Sequence, residues 1–549
     1  MKWTIILLLG VLTANLSFSQ SNLSENEKLS SLCKVWGFLK YYHPKVAKGK
    51  IDWDKELINH IPQVLAANNR HELNVIYYDW LKKLGKVKKY KKLPDDITQV
   101  KINFSMNWIY DIHVFEDSLA SSLFFIEKYR NMRRNFYVQT YALVENTVYK
   151  NENPYDGKLY IYPPVEYRLL GLFRYWNIIN YFYPYKYIIG TDWNNVLDEM
   201  IPKFKDALDT IPYHLAMLEL VGKINDSHGT FATKYTNKYF GLYWAPFEFK
   251  LIDGKAVVTG FYNDTLCRLD DIKIGDVIFK VNNDSVKDII KNNSKYIPAS
   301  NEPTRLRNFS HVIFNGPSDN AIIVFDRDDK IMTKTIHRYL PKQLHYKPPV
   351  KPVCKILENK IGYVNMGVLE KKQVDSVMNQ MLGMDAIIFD IRNYPKGTLY
   401  LLSVYLNKTP MPFVKVLTPE LNYPGVYRKS NPLYCGTVND NYYRGKVIIL
   451  FDETTQSHAE FTCMALQTAP NVKSIGSQTA GADGNVSQIT FPGGFNTHMT
   501  GIGIFYPDGR PTQRIGIVPD IEVKPTIEGI KEGIDEVLLR AISYARTGK

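Results

Sequence analysis

The chain has 549 residues, 45% of them hydrophobic and 22% charged, with a formal net charge of +13. That hydrophobic share excludes a disordered polymer, and the length exceeds what one core organises, leaving room for three or four domains. The lysines are spread along the chain and not gathered in one arm, which gives no support for nucleic-acid binding; the five cysteines are odd in number and widely separated, which excludes a disulfide scaffold or a zinc finger.

The first twenty residues, MKWTIILLLGVLTANLSFSQ, carry one lysine, an apolar run from Trp3 to Leu12, and then small and polar residues. This is the pattern of a secretory signal peptide, too short for a stable membrane span. No cysteine falls within it, so the usual acceptor for a lipid anchor is missing. The expectation is an exported protein, periplasmic or secreted.

Residues 21–235 read as a helical region with an internal repeat. Trp36, Pro44, Trp53 and Pro62 return as Trp176, Pro184, Trp193 and Pro202, each 140 positions further on. The repeated unit is a helix ended near a proline, a short loop, and a second helix capped by Asp52 or Asp192. Its aromatics suit a core stripe better than a sugar-stacking surface. Between the copies the spacing predicts a long helix over 118–143. The region closes with the helical stretch YHLAMLELVGKI, followed at once by NDSHGTF, residues 225–231, which sets His228 at a helix-to-loop junction.

From 236 to 342 the pattern changes to short alternating strands separated by Gly and Asn turns. IKIGDVIFKVNN resembles the core of a PDZ domain, a module that adds an extended peptide to a sheet edge. The usual Gly-Leu-Gly-Phe carboxylate loop is missing, so peptide binding there is an expectation from the fold alone. A proline-rich bridge at 345–355 leads to residues 350–549, where the strands IGYVNMG, DAIIFDI, KVIILF and KSIGSQT alternate with helical segments in α/β order. Loops after three of these strands, IRNYPKG at 391–397, TAGADGN at 479–485 and the one that carries Ser457, are expected to meet, because ligands collect at such strand ends. Ser457 lies in one of them, between a covered strand and a helix. With Glu460 it has the spacing of an ordinary capping box, which requires no chemistry.

The chain from the repeat through GIVPDIEVKPTIEGI resembles peptidase family S41, the C-terminal processing (tail-specific) and tricorn-core proteases, most closely the exported S41-type proteins of Bacteroidetes. The resemblance implies a multidomain α+β chain whose last domain is of the ClpP/crotonase-like S41 type. It also implies a serine peptidase, with no metal or cofactor, acting on proteins or peptides. In the lysine-dependent branch the nucleophilic serine is followed three residues later by Glu, as Ser457 is by Glu460, but the catalytic lysine falls on Ala482. In the tricorn-like branch the base is a histidine from an upstream Ser-His pair, matched by Ser227-His228, while the position of the last member of that site, a glutamate, is taken by Gln513. Asp226, Glu460 and Asp483 are further carboxylates that suit the role of orienting the imidazole.

The resemblance therefore assigns Ser457 as nucleophile and His228 as general base, with Ser227, Glu460 and Gln513 around them. Lys396, Gly397 and His458 belong to the oxyanion and substrate loop. Activity is expected to rise as the histidine deprotonates, at about pH 6 to 7. The competing expectation is a weak or inactive relative that binds peptide or another ligand, with the aromatic N-terminal half serving glycan association. Residue patterns give no oligomeric state.

Overall fold

A computed structural model of the protein describes residues 23–91, 99–347 and 350–549. The expected leader, residues 1–20, lies outside the described residues. No helix among them is long and apolar enough to cross a membrane.

The repeat forms two helical hairpins, Glu25–Tyr42 with Trp53–Ala66 and Val165–Phe182 with Trp193–Lys205. The first helix of each pair is buried on nearly every side, and the second, amphipathic, lies against it. Asp52 accepts a hydrogen bond from the Lys55 N–H at 3.0 Å and Asp192 one from the Asn194 N–H at 2.8 Å, so both second helices start on an aspartate cap. The tryptophans explain the spacing. The Trp36 indole donates to the Trp53 carbonyl at 2.9 Å and the Trp53 indole to the Trp36 carbonyl at 3.0 Å; Trp176 and Trp193 repeat the exchange at 2.8 and 3.0 Å. Each pair locks its two helices while satisfying both buried N–H groups. All four rings are buried, which makes them core and not a sugar-binding surface.

The two hairpins cross at equivalent positions. A Cβ on Gly37 would stand 1.9 Å from Asn177 Oδ1, and Asn177 donates to the Cys33 carbonyl at 3.0 Å. The expected helix over 118–143 is shorter, running Asp117–Lys128. Asn131 and Asn135 end it, because their side chains bond to local backbone at Arg133 and Tyr137 and offer the chain turns in place of helix.

The middle region is an antiparallel sheet in the order Phe247–Ile252, Lys255–Phe261, Val277–Val281, Asn320–Arg327, Lys330–His337, with its own apolar cluster. The last region has a six-stranded sheet in the order Cys354–Leu357, Ile361–Asn365, Ala386–Asp390, Lys446–Phe451, Val472–Gly476, Ile521–Glu522; all neighbours are parallel except the first pair. One face packs against helices that include His458–Leu466 and the other against Glu536–Thr547.

The ClpP/crotonase-like type expected for this domain is corrected by the rest of the architecture. Met411–Pro419, Tyr427–Lys429, Leu433–Cys435 and Gly503–Phe505 leave the parallel sheet and, with Gln99–Val100 of the N-terminal half, build a second sheet. The hairpin Val486–Phe491/Phe495–Thr500 sends Ile489, Phe491 and Met499 into the helical core. Helical half and last domain therefore share one core, in a multidomain α+β arrangement. Pairing between strands so far apart in the chain leaves no mark in local periodicity, which is why the sequence suggested a self-contained domain.

Candidate active site

Three loops do meet at the strand ends. The Thr455 hydroxyl donates to the Ile391 carbonyl at 2.7 Å, the Ala480 N–H to the Thr455 carbonyl at 3.0 Å, and the Ser457 N–H to the Ala482 carbonyl at 2.9 Å. The first loop is anchored by Asp390, which is buried and grips Arg392 through both carboxylate oxygens, at 3.0 and 2.7 Å, while Arg392 also binds Asp535. The second loop carries Ser457 at φ 60° and ψ −125°, a left-handed backbone that a side chain rarely adopts. Such strain is held only where surrounding contacts over-determine it, and a sharp strand-to-helix turn presents a hydroxyl outward.

Glu460 supplies those contacts. It is fully buried; Oε1 accepts from the Thr479 hydroxyl at 2.6 Å and the Gly481 N–H at 2.8 Å, and Oε2 from the Ala482 N–H at 3.0 Å and the Ser457 N–H at 3.1 Å. Burial raises its carboxyl while these donors pull the other way. Glu460 thus clamps the Ser457 turn to the 479–482 loop. The Ser457 side chain itself makes no capping hydrogen bond and is left half-buried at the edge of the cleft.

His228 reaches this place from the helical half. Its loop is tied to the Ser457 loop, since Gln456 donates to the Ser227 carbonyl at 3.2 Å and the Ser227 hydroxyl to the Ala480 carbonyl at 3.2 Å. Arg307, from the middle region, holds the Glu453 carbonyl at 2.7 Å and Gln456 Oε1 at 2.9 Å. Ser457 and His228 line one open cavity of about 730 Å³ with Tyr394 and Gly484. The imidazole is 9% exposed, and its Nε2 has no hydrogen-bond partner. Burial lowers its pKa below the ordinary value of 6.5, opposed by the Asp226 carboxylate and assisted by His498. Nδ1 lies 2.8 Å from the Thr500 hydroxyl and 3.7 Å from Asp226 Oδ1.

Other expected residues stand elsewhere. Gln513 is buried, but its amide donates to the Tyr183 hydroxyl at 3.2 Å and the Ser300 hydroxyl at 3.3 Å and not to His228. The Ser227 hydroxyl is spent on Ala480 and accepts from the Ser300 N–H at 2.8 Å. Ala482, where the other branch has lysine, is fully buried, and Lys473 pairs with Asp520 at 3.5 Å. The Lys396 ammonium turns to Glu370 at 3.6 Å, so only its backbone is free to serve the cleft. Gly397, at φ +71°, has His458 as a neighbour; an added Cβ would be 3.9 Å from His458 Nε2. His458 opens the helix His458–Leu466, where the first N–H groups lack intrahelical acceptors and the macrodipole favours negative charge. The His458 ring is half-buried with no partner at Nε2, and burial, with Lys371 nearby, lowers its pKa below 6.5.

Two features were missed by sequence reasoning. Thr500 ends a hairpin strand 272 residues from His228, and nothing in its surroundings signals a role. Tyr141, Val144 and Asn146 overhang the cleft from the helical half, tied down where Asn146 donates to the Val486 carbonyl at 2.7 Å. A second cavity of about 670 Å³ adjoins Ser457, walled by Phe461, Ile502 and Ile504 and by Asp483. Asp483 Oδ2 is buried without a partner, and burial, with Glu460 nearby, raises its carboxyl well above the usual carboxylate range.

Residues 360–523 match the model of peptidase family S41. Over these residues the last domain is similar to that family. The matched segment holds Ser457 and Glu460 and leaves His228 and Asp226 outside. No curated protein matches the chain by sequence. Among solved structures, mature CPAF complexed with lactacystin is 14% identical, with a TM-score of 0.54, covering 70% of this chain and 99% of that one. A CPAF mutant is 15% identical with a TM-score of 0.55, covering 70% and 98%. A Parabacteroides merdae peptidase described as putative is 14% identical with a TM-score of 0.43, covering 70% and 98%. The CPAF likeness extends over most of the chain, so the last domain sits in a CPAF-like multidomain α+β fold; this replaces the ClpP/crotonase-like type.

Proposed function

We propose that the protein is an exported serine endopeptidase that cleaves proteins or peptides through an acyl-enzyme. The observation that carries this reading is the pairing, in one cleft, of a hydroxyl on a strained turn with a buried imidazole whose Nε2 is unpartnered. During attack on a peptide carbonyl the Ser457 proton passes to His228 Nε2. The oxyanion is held by backbone N–H groups at Gly397 and His458, at the positive end of the helix. His228 then protonates the leaving amine and activates the water that releases the acyl group.

Ser457 and His228 share no hydrogen bond, which is the one observation favouring a peptide-binding protein that keeps the fold. Apo sites commonly tighten on substrate, so the peptidase reading stands first. A fluorophosphonate probe decides between them: it is expected to form an adduct on Ser457, mapped by mass spectrometry, and none on folded S457A. Equal labelling of the two folded proteins rejects the peptidase.

A further inference from the structure

Whatever base serves Ser457 must keep its lone pair toward the cleft, and the hydrogen bonds around His228 determine which nitrogen that is. Asp226 is fully buried and, as a carboxylate, only accepts. Its Oδ1 takes the His228 backbone N–H at 3.0 Å and the Thr500 hydroxyl at 3.0 Å, and its Oδ2 takes the Thr500 backbone N–H at 2.6 Å. Thr500 thus chelates the carboxylate with main chain and side chain together. It is fully buried and β-branched, so its rotamer is set by this contact.

A hydroxyl has one proton, and that of Thr500 goes to Asp226. Its lone pair then faces His228 Nδ1 at 2.8 Å and can only accept, so Nδ1 carries the hydrogen. The reverse arrangement would bring the Thr500 lone pairs against Asp226 Oδ1 with no proton between them, and would leave an Nε2–H buried without an acceptor. The carboxylate itself is too far from Nδ1, at 3.7 Å, to do this directly. Gln513, which stands where an acidic partner is expected, binds Tyr183 and Ser300.

We propose that Thr500 is the positioning residue of the site, a hydroxyl bridge that transmits the Asp226 carboxylate to His228 and holds the imidazole as the Nδ1–H tautomer with the Nε2 lone pair in the cleft. This rests on the reading of His228 as base to Ser457. When Nε2 takes the Ser457 proton, Nδ1 keeps its own hydrogen and no proton moves to Thr500 or Asp226. The imidazolium charge is balanced through the aligned O–H dipole by a carboxylate one bond further away than in a direct His–Asp pair, and the proton later leaves with the amine. The titratable groups facing the imidazole are Asp226 and His498, and those facing Asp226 are Tyr175 and Tyr183.

The test is a set of folded variants assayed on a peptide that the wild type cleaves. T500V is expected to lower kcat about a hundredfold with KM little changed and to displace the acid limb of kcat/KM; T500S is expected to restore most of the rate. Wild-type kcat and pH profile in T500V overturn the proposal. Should T500V fail to fold, the wild type decides alone: in protein carrying 15N-labelled histidine, with the His228 signals assigned by their loss in H228Q, the Nδ1–H pattern is expected at neutral pH, and an Nε2–H pattern overturns the bridge. Full hydrolysis by S457A rejects the peptidase reading separately, because the tautomer measurement does not depend on activity.

Discussion

At the scale of single residues, burial and hydrogen-bond direction decide what each expected group can do. His228 is pushed below the ordinary imidazole value by burial, so its base form persists into mild acid. The acid limb of kcat/KM is therefore expected to centre below pH 6.5, on the acid side of the rise through about pH 6 to 7 that an ordinary histidine gives. A limb centred above pH 7 in a kcat/KM profile contradicts this. H228A is expected to lose about 10²- to 10⁴-fold in kcat with folding intact. Position 482 carries a different expectation: a lysine there buries an ammonium where Ala482 is fully enclosed, so A482K should lower the melting temperature and give no gain in rate. A gain in rate would mark the site as a decayed Ser-Lys dyad. Ser457, Glu460 and the Ser227-His228 pair were singled out because each lies in a short local motif, and the structure gathers them around one cavity. Thr500 was not, because a hydroxyl that acts only through a partner 272 residues away has no motif.

At the scale of elements, the sequence revealed the repeat but not the reason for it. The tryptophan spacing is the footprint of two reciprocal indole-to-carbonyl exchanges, and the crossing of the two buried helices rests on Gly37 and Asn177, which occupy equivalent places in the two copies. Gly37→Ala places a methyl 1.9 Å from Asn177 Oδ1 in a packed core, and Asn177 is itself bound to the Cys33 carbonyl. The overpacking is expected to cost about 1–3 kcal/mol in a urea titration, although alanine is the better helix former. A stability gain in G37A would show that the helices separate freely at that point. Element type was readable from the repeated helical unit in Val165–Phe182 and from the short apolar, β-branched run in Lys446–Phe451. It failed over 118–143, where Asn131 and Asn135 turn an apolar run into loop through side-chain bonds that periodicity does not register.

At the scale of the whole molecule, one shared core couples the helical half to the cleft, and two buried histidines make that core acid-sensitive. His43 follows the helix Glu25–Tyr42, and His214 lies in the helix Thr210–Gly222 between the Thr233 hydroxyl at 2.9 Å and the Ile161 carbonyl at 3.0 Å. Burial lowers both from 6.5 to about 4. Because the folded values are depressed, the unfolded chain binds more protons between those limits, so stability is full above pH 6.5, falls as pH drops towards 4, and levels off below. Each histidine contributes up to about 3 kcal/mol to that slope. Urea unfolding at pH 7 and pH 4.5 should show the loss, and replacing both histidines with glutamine should flatten it; an unchanged slope in the double variant would place the acid sensitivity elsewhere. The hairpin that carries Thr500 packs Phe491 against Tyr175 and Phe231 of the helical half, so opening that half removes His228 and its bridge together. Two acid losses of activity are then separable: protonation of His228 reverses within the mixing time on return to pH 7.5, whereas activity lost with the helical core returns only at the rate of refolding, followed in parallel by tryptophan fluorescence from the buried Trp36, Trp53, Trp176 and Trp193.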